Sequence, residues 1–176
     1  MIKCNKYFPV LLLALCVMGW MACTQQRQPC LTPKTASLII ETIHKQTDTS
    51  TVFVDSALPH AVFIAFTNDP NALPGRDYSL GSLFAISLSP DSSVCQWAFT
   101  ADSLSAALNP GQFDTLTFYY RRNLQFLSNA CGYTYFYSLD SAHTTHKIID
   151  SLHIINTSVT NNVNTKHLQV YIHPDF

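Results

Sequence analysis

Phe84, Ile86 and Leu88 alternate with Ala85, Ser87 and Ser89. Leu116, Phe118 and Tyr120 alternate with Thr115, Thr117 and Tyr119, and Leu168, Val170 and Ile172 with His167, Gln169 and Tyr171. A period of two sends one set of side chains to each face of an extended strand and scatters the same residues around a helix. Two more segments read as strands on other grounds. Residues 60–67 (HAVFIAFT) form a nearly unbroken apolar run suited to a central strand, and residues 38–43 are apolar and β-branched apart from Glu41. Turn-forming clusters separate the runs: Asn68-Asp69-Pro70-Asn71, Leu73-Pro74-Gly75, Ser89-Pro90-Asp91, Asn109-Pro110-Gly111 and Asn161-Asn162. The one helical signal is a turn over 102–108 with Asp102 at its N-cap position. No segment is long enough for a βαβ crossover, so the expected fold is all-β, a single antiparallel β-sandwich (Ig-like or transthyretin-like) of about eight strands.

A chain of 176 residues holds one domain of ordinary size. With 47% apolar and 12% aromatic residues it can build a core, and a formal net charge of −1 gives it no electrostatic footprint for nucleic acid.

The first residues read as an address outside that fold. Lys3 and Lys6 precede an apolar run, Phe8 to Ala22. As a helix the run spans about 22 Å, short of the roughly 30 Å hydrocarbon core, which suits the hydrophobic region of an export signal. It ends Trp20-Met21-Ala22-Cys23. A small residue before a cysteine resembles the lipobox, where lipoprotein signal peptidase cuts and the cysteine thiol takes diacylglycerol. Trp20 stands where that motif usually has Leu. Cys16 is the rival, preceded by the bulky Leu15, and an ordinary signal peptide with a chance cysteine is the other reading. The expected organisation is a lipoprotein signal peptide over 1–22, a lipid-anchored tether over 23–33 with Cys23 lipidated, and the β-sandwich domain over 34–176. Two acyl chains anchor a protein stably, since each buried methylene contributes about 0.8 kcal/mol. Thr24-Gln25-Gln26 after the cysteine is not acidic and gives no surface-export or retention signal.

Past Cys23 the chain holds Cys30, Cys95 and Cys131, enough for one disulfide and one leftover thiol in an oxidising compartment. Alternation puts Cys95 on one face with Trp97 and Phe99, where a free thiol packs as a small hydrophobe. Cys30 ends the tether and Cys131 follows a strand end at 124–128, so Cys30–Cys131 is the favoured pair. With no Cys-x-x-Cys, redox-motif and zinc-ribbon chemistry lack support.

Five triplets share one shape: Asp55-Ser56-Ala57, Asp102-Ser103-Leu104, Asp114-Thr115-Leu116, Asp140-Ser141-Ala142 and Asp150-Ser151-Leu152. They resemble the Asp-Ser/Thr-aliphatic acceptor pattern of O-glycosylation in Bacteroidetes envelopes, which makes Ser56, Ser103, Thr115, Ser141 and Ser151 candidate acceptors. A glycan requires exposed loops or strand ends. The competing reading is local turn bonding by Asp and Ser. Asn156-Thr157-Ser158 matches the N-glycosylation sequon, and chance explains it better. Among seven histidines, His143, His146 and His153 fall in a loop and a strand, and His167 and His173 stand about 20 Å apart on one strand face. Neither set converges on an ion, so no metal and no cofactor is expected. Gly81-Ser82 lacks the second glycine of a nucleophile elbow. One glutamate and ten aspartates, most of them in turn or acceptor contexts, argue against paired-carboxylate chemistry. Tyr133, Tyr135 and Tyr137 alternate with Thr134, Phe136 and Ser138, and Tyr119 shares a polar face with Arg121. Cross-strand packing accounts for such aromatics, and an aromatic platform for a sugar is the sharper reading.

Cys30-Leu-Thr-Pro33, the strand 36–43, Asp114-Thr-Leu-Thr-Phe-Tyr119, Ser128-Asn-Ala-Cys-Gly-Tyr133, residues 148–156 and the last strand 167–172 together resemble an uncharacterised family of small Bacteroidetes envelope lipoproteins, a domain of unknown function. Ser128 to Tyr133 is the most specific piece. The resemblance implies an envelope location and a β-rich fold, and supports pairing Cys30 with Cys131. It supplies no activity and no catalytic residues.

The expected protein is therefore an exported, non-enzymatic structural or interaction module of the cell envelope, held at the outer membrane by its lipid and facing the periplasm. Its expected partners are the membrane and an envelope protein or glycan. The alternative is a carbohydrate or small-ligand binding module using strand aromatics.

Overall fold

A computed structural model describes residues 29–45, 53–55, 58, 60–66, 76–78, 81–103 and 112–173. The expected signal peptide, Cys23, Ser56 and most of the helical turn expected over 102–108 lie outside these residues. The described residues form eleven strands: β1 (Ser37–Lys45), β2 (Phe53–Asp55), β3 (Val62–Ala65), β4 (Arg76–Tyr78), β5 (Leu83–Ser87), β6 (Val94–Thr100), β7 (Asp114–Ser128), β8 (Gly132–His143), β9 (Ile149–Ile154), β10 (Ser158–Val159) and β11 (Leu168–Ile172). The count exceeds the expected eight because β2, β4 and β10 are pieces of two or three residues, too short to show a period.

The strands make a two-sheet, all-β sandwich. One sheet runs β2-β1-β11-β9 with β5 also on β1, and the other runs β10-β8-β7-β6-β3-β4. All pairings are antiparallel except β1 with β11, which run parallel with Ile40 opposite Leu168 and His44 opposite Ile172. The near-continuous apolar run of β1 fits a strand flanked on both sides. Glu41 interrupts that run and is buried. It faces Gln169 across the parallel pair, receives Gln169 Nε2 at 3.0 Å and pairs with Lys166. A buried carboxylate needs such donors to offset lost hydration.

Side chains from both sheets meet in one core. Phe63 of β3 packs at 4.8 Å between ring centroids from Phe84 of β5 and from Phe99 of β6. Trp97 and Phe99 are buried as alternation predicts, and Cys95 packs half-buried beside them as the free thiol.

Candidate functional site

The longest strands, β7 and β8, pair along almost their whole length. Their first part belongs to the sandwich. Leu116, Phe118 and Tyr120 of β7 and Tyr137 and Leu139 of β8 are buried on the inner face. Two hydroxyls lock this part to the segment that follows β5. Tyr120 Oη donates to the Ser89 carbonyl at 3.1 Å and accepts the Ser89 N–H at 2.9 Å. Tyr137 Oη donates to the Leu88 carbonyl at 3.2 Å, and the two rings meet edge to face at 5.4 Å.

Beyond Arg122 and Tyr137, where β10 stops pairing with β8, the hairpin continues as a two-stranded ribbon. Leu124 stands opposite Tyr135, and Phe126 opposite Tyr133. Strand alternation keeps all four on the side that, further back, carries Leu116, Phe118, Tyr137 and Leu139. Here the opposite sheet no longer covers it. Leu124 is 57%, Phe126 53%, Tyr133 65% and Tyr135 38% exposed. Phe126 and Tyr133 contact each other with centroids 5.2 Å apart, so they form a cross-strand aromatic pair open to the surroundings.

The ribbon tip is tightly built. Ser128 Oγ accepts the Cys131 N–H at 3.0 Å. Gly132 takes φ +73°, a left-handed conformation that disfavours a side chain even though the space is open. Cys131 is joined to Cys30 by a disulfide, with Cα atoms 4.8 Å apart, confirming the pair favoured from sequence. The N-terminal segment is held further along: Thr134 Oγ1 bonds the Lys34 carbonyl, and Asn161 Nδ2 donates to the Pro33 carbonyl at 3.2 Å. From Cys30 onward the expected tether is thus part of the domain, joined to it at the tip of the ribbon.

The acceptor triplets fall in unlike places. Ser151 is exposed on β9 and bonds Asp150 Oδ2. Ser141 is half-buried on β8, opposite Tyr119. Ser103 is half-buried, with its N–H on the His60 carbonyl. Thr115 is half-buried inside a sheet, opposite Ala98. Its neighbour Asp114 is fully buried. That carboxylate accepts Thr145 Oγ1 at 2.5 Å, the Lys147 N–H at 2.8 Å and the Ile148 and Ile149 N–H groups at 2.7 Å each. Burial pushes the Asp114 carboxyl up, but these donors together outweigh it and hold it below its ordinary value. Sequence reasoning missed this anchor, and an aspartate opening an apolar strand was its only signal.

The histidines also disperse. His143 meets Tyr119 edge to face at 5.8 Å, His146 bonds the Asp150 carbonyl through Nδ1, and His167 is fully buried. Among the described residues no three His, Cys, Asp or Glu side chains gather to hold an ion. Tyr119 is exposed as the sugar-platform reading requires. It borders a hollow of about 490 Å³ shared with Phe66, Ser92, Val94, Gln96 and Thr117, with Gln96 Nε2 donating to Thr117 Oγ1 at 3.2 Å. Arg121 beside it pairs with Asp140 at 3.1 Å.

Residues 66–172 match a family described as a family of unknown function (DUF6452). No curated protein and no solved structure matches the chain.

Proposed function

The chain belongs to the DUF6452 family of unknown function, and from that premise we propose that it is an exported lipoprotein, a non-enzymatic structural or interaction module of the cell envelope anchored through Cys23 at the outer membrane. The disulfide is the observation that carries this reading. It joins Cys30, seven residues past Cys23, to the tip of the ribbon at Cys131. Seven residues reach at most about 24 Å. A flexible leash needs no such bond, whereas a domain that must keep one end toward its anchor gains a fixed posture from it. The compartment beyond the inner membrane also favours the disulfide.

Intact mass of the protein purified from membranes, beside a Cys23→Ala variant, tests this. Cleavage before Cys23, added acyl chains and their loss in the variant are expected. An unacylated chain recovered in soluble form would overturn the anchoring.

A second reading, a carbohydrate or small-ligand module, draws on Tyr119. An exposed ring above a hollow edged by Gln96 and Thr117 offers an apolar face with polar groups beside it, which is what a sugar stacks on. Glycan-array binding that Tyr119→Ala abolishes would favour it, and an array without hits would sink it.

A further inference from the structure

We propose that the open ribbon face, Leu124, Phe126, Tyr133 and Tyr135, is a membrane-docking surface that rests in the headgroup region of an anionic phospholipid leaflet. The proposal rests on the lipid-anchor reading and adds to it which end of the domain meets the membrane.

Three observations converge. The first is reach. With a lipid on Cys23, Cys30 lies within about 24 Å of the bilayer, and the disulfide carries that limit to Cys131 at the ribbon tip. Phe126 and Tyr133 stand about 7 Å back from the tip, and Leu124 and Tyr135 about 13 Å. The apolar face is thus held within reach of the leaflet by a covalent bond.

The second is chemistry. Two aliphatic-or-Phe side chains face two tyrosines, and Leu31 next to Cys30 is also exposed. Rings with an apolar body and a polar tip settle at the boundary between headgroups and acyl chains. The face is neither long nor apolar enough to enter the hydrocarbon core, and shallow contact suits it.

The third is charge. Residues 29–36 and 121–136 contain Lys34, Arg121 and Arg122 and no aspartate or glutamate, in a chain with 11 acidic residues to 10 basic ones. Asp140 meets Arg121 from outside this stretch, and Arg122 also bonds the Pro90 carbonyl. The ribbon and the N-terminal segment bonded to it therefore carry basic residues and no carboxylate of their own, in a chain whose net charge is only −1. Basic residues near an anionic leaflet contribute about 1 kcal/mol each, which orients the domain without anchoring it alone.

The test places a reporter on the face of the full protein. A Tyr133→Trp variant is purified from membranes, checked by mass for acyl chains, and reconstituted into vesicles of phosphatidylethanolamine and phosphatidylglycerol. The native Trp97 is buried and serves as the internal background, and each variant also carries Trp20→Phe so that the apolar run adds no emission of its own. Expected are a blue shift of the added indole emission and its loss in vesicles whose lipids are brominated near the headgroups, with the same behaviour for Leu124→Trp should the first variant fold poorly. Acylated protein whose added indole emits as in water overturns the docking surface while the anchor stands. An indole that shifts to the blue yet escapes bromolipid quenching is covered by protein, from a partner or a second copy, and also overturns it. If the mass shows no acyl chains, the anchor reading fails separately. The variant is then mixed with the same vesicles, where quenching supports the surface and its absence overturns it.

Discussion

His167 accepts the Ile39 N–H at its Nδ1, 3.0 Å away, and sends its own backbone N–H to the Ile39 carbonyl at 2.9 Å. The ring is fully buried, and its Nε2 lies 3.2 Å from the Ser158 carbonyl. A neutral imidazole with its hydrogen on Nε2 satisfies both neighbours. One side chain therefore ties β1 in one sheet to β10 in the other.

This tie makes stability sensitive to mild acid. Burial holds the His167 imidazole below its ordinary value of 6.5. In the unfolded chain the ring protonates near that value, so below it the unfolded state takes up a proton that the folded state refuses. The stabilisation is complete above about pH 6.5 and is lost as the pH falls toward the folded-state value. Protonation at Nδ1 would also leave the Ile39 N–H without an acceptor. Thermal melts are expected to show a Tm that declines below about pH 6.5. His167→Phe should lower Tm at neutral pH and flatten that decline. An unchanged decline in the variant would assign it to another group.

Asp114 adds a second, more acidic step. Its carboxyl titrates below the ordinary 3.8, so its contribution is present above the unfolded value and disappears as the pH falls through the folded one. Asp114→Asn puts an amide where four donors converge and leaves at least one without a partner. The expected cost is about 3 kcal/mol, read from urea unfolding at neutral pH. A change under about 0.5 kcal/mol would mean that the 145–149 strap re-forms without the charge.

The strands that alternate were readable because one face of each is wet, and β5, β6 and the inner half of β7 lie where the period puts them. Pairing was not readable. That β1 lies parallel to β11 depends on residues more than a hundred positions apart, and nothing local in either strand encodes a direction. Asp114 reads as the first residue of a glycan-acceptor triplet with Thr115 as acceptor, because Asp-Thr-Leu is the same triplet whether its carboxylate faces water or residues 145–149. The ribbon was half legible. Leu124 and Phe126 keep the core period, and sequence alone cannot say that β5 of the opposite sheet ends at Ser87. Cys30–Cys131 was legible because alternation had already given Cys95 to the core.

The disulfide closes a loop with a sequence separation of 101. Chain-entropy arguments give up to about 4.7 kcal/mol for such a loop, with less usual in practice. Cys30→Ala with Cys131→Ala is expected to lose about 2–4 kcal/mol in denaturant unfolding. The loss should sit mostly in the unfolded state, so the β-sheet circular dichroism of the variant stays native at room temperature. Loss of the native spectrum would mean instead that the N-terminal segment is needed to hold the sandwich together.

The ribbon face should matter little to folding. Phe126 and Tyr133 are more than half exposed, and their mutual contact is the cross-strand kind that contributes roughly 0.2–1 kcal/mol. Replacing both by Ser is therefore expected to cost under about 1.5 kcal/mol, whereas Tyr120→Phe alone breaks a buried pair of bonds with Ser89 and should cost about 1–2 kcal/mol. Urea unfolding of the two variants side by side checks the order. If the two-Ser variant proves the costlier, the face is a structural element that the rest of the fold leans on. If it proves the cheaper, four large apolar side chains stand in the open at little benefit to stability, next to the segment that leads to Cys23, and their use lies in what they touch outside the chain.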